Sequence, residues 1–144
     1  MNLTLETVLH GVAATLRDRV TPAVGDSFAA EMSRLAAMLV TIAANGVEDA
    51  AAARVWENAA LRDLFADAPI GLDPALRTRL IEAARSVDPG LKISELDREN
   101  DRLRKLLVEL QAEVEVDESA AAQALNTRIW SLLRAAEERR APRS

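Results

Sequence analysis

The chain contains no cysteine and no tyrosine, one histidine, and only four other aromatic residues, two Trp and two Phe. Without a thiol there can be no disulfide, no thiolate nucleophile, no zinc knuckle and no iron–sulfur ligation. The single histidine, His10, is too few for a di-iron bundle, which needs two Glu-x-x-His elements, or for a zinc hydrolase. It stands four residues after Glu6, a spacing that suits a solvated pair on one helix face. Scarce aromatics leave few platforms for stacking bases, sugars or flavins. The five glycines are dispersed, so no phosphate-cradling loop can form, and the serines follow no G-x-S-x-G elbow. No catalytic, cofactor-binding or metal-ligating residue is therefore assigned, and no cofactor is expected.

Long hydrophobic runs are also lacking. The longest nearly charge-free apolar run, Leu35 to Ala44, is about half of the roughly 20 residues a membrane-spanning helix requires. At the start, Glu6 precedes the first basic residue, Arg17, the wrong charge order for a secretory leader. These features predict a cytoplasmic protein with no membrane partner. The net charge of −5 comprises −4 over residues 1–90 and −1 over residues 91–144, which disfavours nucleic acid as a partner.

What the chain does have is helical periodicity throughout. A first helix is expected from about Leu5 to Val20, capped by Asn2 or Thr4 and stopped by Thr21-Pro22. A second begins near Ser27 with Phe28, Met32, Leu35, Leu39 and Ile42 as its main face, and ends at Asn45-Gly46. Met38 and Val40 add apolar surface on its other sides, so it is expected to lie centrally in a bundle. A third, about Asp49 to Ala66, presents Val55, Trp56, Ala59, Leu64 and Phe65. Asp73 and Pro74 open a fourth that runs to Val87. A fifth starts with Ser94 as N-cap, and a sixth spans about Ser119 to Arg140, with "RRAPRS" expected to fray. No Gly or Pro enforces the break around "EVEVDES", so residues 94–140 could also form one long bent helix. The expected fold is an all-α bundle of five or six helices. It makes one domain over residues 1–144, with a helical core in 1–90 and a C-terminal hairpin or bent helix in 91–144.

Residues 93–116, "ISELDRENDRLRKLLVELQAEVEV", carry the most specific pattern. With Ile93 at a heptad a position, Leu96, Leu103 and Leu110 fall at d, and Asn100, Leu107 and Val114 at a. A polar Asn in such a seam specifies register, so the segment could pair across a homodimer. It could equally close its own chain's bundle. Leu106 and Val108 widen the stripe beyond a zipper seam, and the sixth helix offers Leu125, Ile129, Leu132, Leu133 and Ala136 as an antiparallel partner. Candidate interaction residues are Leu96, Asn100, Leu103, Leu107, Leu110, Trp130 and Leu133. Acidic pairs such as Glu48-Asp49 and Asp117-Glu118 suit helix N-termini, and the arginines near the C-terminus suit a helix end.

The segment "LETVLHGVAATLRDRVTPAV" followed by "SRLAAMLVTIAAN" resembles a small all-helical bacterial domain of uncharacterised function. Members of that family are encoded beside, or fused to, aminoglycoside-phosphotransferase-like kinases and acyl-CoA dehydrogenases. Val20, Pro22 and Ala23 match its Val-x-Pro-Ala turn, and Arg34, Leu35, Ala36 and Ala37 match its second element. The match covers the first third of the chain, and the family has no established catalytic residues. The resemblance implies an accessory role beside a phosphotransferase-like or acyl-CoA-metabolising enzyme. Together these readings point to a non-enzymatic protein that works through a protein partner or self-association. The alternatives are a helical bundle holding a small apolar ligand between helix two and its neighbours, and a helix-turn-helix regulator, which the acidic balance opposes.

Overall fold

Thr4 opens the first helix, its Oγ1 accepting a hydrogen bond from Thr7 N at 3.2 Å. The computed structural model describes residues 3–69 and 71–143, so Asn2, the other candidate cap, lies outside the described residues. Every described element is helical, giving an all-α fold without strands among the described residues. The described residues form six helices: α1 (Leu5–Thr15), α2 (Ser27–Val47), α3 (Ala50–Ala66), α4 (Pro74–Arg85), α5 (Ile93–Val116) and α6 (Ala120–Arg140). They form two compact units, residues 1–50 with 141–144, and residues 51–140. The division falls after Ala50.

In the first unit, α1 does not stop at Thr21-Pro22. It continues through a π-helical turn, Leu16–Val20, and a last α-helical turn, Thr21–Ala23. A proline ring ordinarily collides with the carbonyl four residues back. Here the preceding turn is wider: Thr21 N–H reaches the Leu16 carbonyl, five residues back, so the chain accepts Pro22 without ending the helix. Thr21 is buried, and its hydroxyl lies 2.8 Å from both the Leu16 carbonyl and Ser33 Oγ on α2. Asp26 then caps α2 by accepting from Ala29 N at 2.8 Å. Asn45 and Gly46 do not stop α2 either; Gly46 stays helical, with no left-handed φ, and the helix runs to Val47.

The two helices are antiparallel, since Thr21 meets Ser33 at one end and Arg143 bridges Glu6 and Glu48 at the other. They pack through alanines: Ala13 of α1 and the heptad-spaced Ala30, Ala37 and Ala44 of α2 are buried. The expectation that α2 lies centrally is overturned. Phe28, Met32, Leu35, Leu39 and Ile42, its expected core face, are all exposed. At 100° per residue these five point about half a turn away from Ala37. The tail also departs from its expected fraying: Arg143 Nη2 contacts Glu6 at 3.0 Å and Glu48 at 3.5 Å, and its Nε donates to the Asn45 carbonyl at 3.3 Å.

The second unit has a conventional core. Leu61, Leu64 and Phe65 of α3 pack with Leu76 and Leu80 of α4, Leu103, Leu107 and Leu110 of α5, and Leu125 and Ile129 of α6. Asp73 caps α4 by accepting from Leu76 N at 2.9 Å, with Pro74 in the first turn. The helix ends at Arg85, two residues before the expected Val87, where Ser86 turns extended and its N–H returns to the Ala83 carbonyl. Ser94 is not the N-cap of α5. The Lys92 carbonyl already accepts from Leu96 N at 3.0 Å, which makes Lys92 the cap and draws Ile93 and Ser94 into the first turn. Between α5 and α6, Asp117 accepts from Ser119 N at 2.8 Å and Ser119 Oγ from Ala122 N at 3.2 Å. These two bonds break the chain into a helical hairpin without Gly or Pro. Asn100 opposite Arg140, and Arg104 near Glu137, show that its arms run antiparallel.

Candidate functional site

Three places could support function: an apolar face on the first unit, a polar cluster inside the second, and a groove on the second unit's surface. The first comes from a mismatch between side-chain size and burial. The alanine stripe of α2 takes the place against α1, so the bulkier stripe behind it is left to solvent, with Phe28 72% and Leu39 54% exposed. On α1, Leu5, Val8 and Val12 are exposed too; they lie roughly a quarter to two-fifths of a turn from the inward Ala13. Arg17 and Arg34 line one shallow hollow with Met38 and Thr41, which marks the polar flank of the hairpin. Val12 and Ala36 then belong to the opposite flank, and apolar surface runs from α1 across Ala29, Ala36 and Ala43 onto the Leu35 and Leu39 face. α2 is also long and apolar enough, by length and composition alone, to cross a membrane.

The polar cluster is built on Glu57 and Asn58 of α3, both fully buried, and on Asn100 of α5. Glu57 accepts from Arg104 Nε at 2.6 Å through one oxygen and from Arg140 Nε at 2.8 Å through the other. Asn100 donates to Asn58 Oδ1 at 3.0 Å and accepts from Arg140 Nη2 at 3.1 Å. Asn58 donates to Asp88 Oδ1 at 3.0 Å and to the Leu96 carbonyl at 3.3 Å. Arg62 then joins Asp88 at 2.9 Å and Glu99 at 2.8 Å. Burial acts to raise the Glu57 carboxyl, but hydrogen bonds from Arg104, Asn100 and Arg140 outweigh it and hold it below the ordinary range. Arg102, with Arg62 behind it, likewise lowers Glu99. No buried side-chain nitrogen or oxygen of this cluster is left without a hydrogen-bond partner, and the network pins α3, α5 and α6 in register. Among the described residues, no group of three or more His, Cys, Asp and Glu side chains is arranged as metal ligands would be.

The groove lies between α3 and α6, with a volume of about 400 Å³ and walls that include Trp56, Leu64, Thr127 and Leu132. The Arg139 guanidinium sits 4.2 Å over the Trp56 ring. The hollow beside α2 is open and flanked by arginines, so it is not the enclosed apolar cavity expected between helix two and its neighbours.

The candidate interaction residues fall into different settings. Leu96, Asn100, Leu103, Leu107 and Leu110 are buried within their own unit, their seam filled by helices of the same chain. Leu133 is partly buried against that core, and Trp130 is 55% exposed. Sequence reasoning missed Glu57, Asn58 and Arg62 because they sit on α3 as an ordinary polar stripe. The available signal was the a-position Asn100, whose amide needs polar company wherever it is buried. The outward seam of α2 was visible as a pattern but was read as core. No family model, curated protein or solved structure matches the chain.

Proposed function

We propose that this protein works by contact rather than by catalysis, using the apolar face of α1 and α2 as its docking surface. The observation that carries the reading is the exposure of Phe28, Met32, Leu35, Leu39 and Ile42 along one side of a single helix. Eight side chains of this face, counting Leu5, Val8 and Val12, are 42% to 72% exposed. Taking roughly 150 Å² for each whole side chain, they leave on the order of 600 Å² of apolar surface in water. That is at the top of the range of about 300–600 Å² for the largest patch on a typical monomer. The polar cluster in the second unit supplies rigidity, and the two grooved surfaces carry no convergent reactive groups. A cytoplasmic location suits such a protein. The kinase-like and acyl-CoA enzymes suggested as partners stand on the resemblance of residues 5–45 alone.

Tagged protein from the native host tests this reading, with Leu39→Glu as the control. Wild type should recover a protein in stoichiometric amount, an untagged copy counting as one, and the variant should recover none. Purified protein that turns over a phosphorylated or thioester substrate by itself, with activity tracking one Asp or Glu, would overturn the reading.

A further inference from the structure

Resting on that reading, we infer that the occupant of the α1–α2 face is a second copy of this chain, so that two such units form a homodimer through α2. Phe28, Met32, Leu35, Leu39 and Ile42 follow steps of four, three, four and three, the alternation of a coiled-coil seam. Leu35 is the middle residue of the five, so an antiparallel second copy can set the same stripe against this one across a two-fold axis near Leu35. Ala29, Ala36 and Ala43 border the seam and let two backbones approach closely. The five seam side chains alone leave on the order of 400 Å² of apolar surface in water, about half of the roughly 800 Å² per partner of a standard stable interface, and Leu5, Val8 and Val12 of α1 extend the face. Glu31 and Arg34, the charges beside the seam, pair with each other within the helix, so two copies meet there without net repulsion.

A lipid surface fits less well. Residues 1–50 hold three basic and six acidic residues, a net charge of −3, which anionic headgroups repel. A span by α2, which length and composition alone would allow, would also have to carry Glu31 and Arg34 into or beside the hydrocarbon core, a costly placement for charged side chains. The seam that looked like a zipper in the sequence, on α5, is filled within its own unit, and the open one is on α2.

Sedimentation velocity of the full chain over a wide concentration range tests the inference. Wild type should show a reversible monomer–dimer equilibrium. Leu39→Glu and Phe28→Glu should each weaken it by about 30-fold or more with unchanged helical circular dichroism, while Val108→Glu, at an exposed site on α5, should leave it unchanged. Because the chain has no cysteine, Leu35→Cys provides a single thiol near the axis and should cross-link as a covalent dimer on mild oxidation. A monomer at every concentration, or a dimer indifferent to both Glu substitutions, overturns the inference. A monomer that binds vesicles of anionic phospholipid through this face overturns it in favour of a membrane surface. If the purified chain is monomeric and the tagged chain recovers a different protein that Leu39→Glu loses, the homodimer falls and the contact reading stands. If nothing is recovered, both fall.

Discussion

The two units solve the same problem with opposite stripes. In the first, alanines face inward and Phe, Met and Leu face water; in the second, leucines fill the core and a glutamate, two asparagines and an arginine are buried among them. Burying a methyl contributes about 0.8 kcal/mol, against about 1.5–3 kcal/mol for a whole Leu or Phe side chain. The first unit thus gains little from its own packing and relies on local devices, the Thr4 and Asp26 caps and the Arg143 clamp. The second gains enough to bury a charged network, whose desolvation cost it offsets with near-complete hydrogen bonding. The bulky outer face of the thin-cored first unit is the docking surface proposed above.

The largest expected contrast is between the two phenylalanines. Phe65→Ala should lower stability by about 3–5 kcal/mol, whereas Phe28→Ala should change the dilute protein by less than about 0.5 kcal/mol. Urea unfolding at low protein concentration reads both, and equal effects would erase the distinction between the units. Next comes Glu57→Ala, which strands Arg104 and Arg140 and should cost about 3–5 kcal/mol. Its pH signature is separate. A carboxyl lowered in the folded state contributes stability above its unfolded value, 4.5, and loses it as the pH falls through the folded one. Glu57 and Glu99 should therefore make the second unit acid-labile below about pH 4.5. Glu57→Gln should flatten that dependence in urea midpoints measured across the acid range. Asn100→Leu should destabilise by about 1–3 kcal/mol by leaving Asn58 Oδ1 unpaired; in an open zipper seam the same change would stabilise. A modest effect, about 1 kcal/mol, should follow Asp26→Ala, seen as early fraying of α2 by hydrogen exchange.

Helix positions were legible because their punctuation is local. Asp73-Pro74 opens α4 as expected, and the break at Asp117–Ser119 follows from two side-chain caps. Which face turns inward was not legible for α2, because two stripes compete. The stripe through Phe28 and Leu39 is more hydrophobic, and periodicity assigns such a stripe to the core. The alanine stripe packs on α1 because Ala30, Ala37 and Ala44 bring two backbones close, a geometric advantage that hydropathy does not register. In α3 the reverse happened. Glu57, Asn58 and Arg62 look like a solvated face, and only the three-dimensional meeting with Arg104, Arg140, Asp88 and Asn100 makes their burial tolerable. Thr21-Pro22 reads as a stop because the wider π-helical turn that admits the proline leaves no mark in composition.

The claim that α2 hides its alanines and presents its leucines can be tested with two single cysteines in an otherwise thiol-free chain. Ala37→Cys and Leu39→Cys, each diluted until only monomer remains, would be compared for their rate of maleimide labelling. The structure predicts that the thiol at position 39 reacts nearly as fast as a free cysteine, and that the thiol at position 37 reacts orders of magnitude more slowly. Equal rates, or the reverse order, would contradict it.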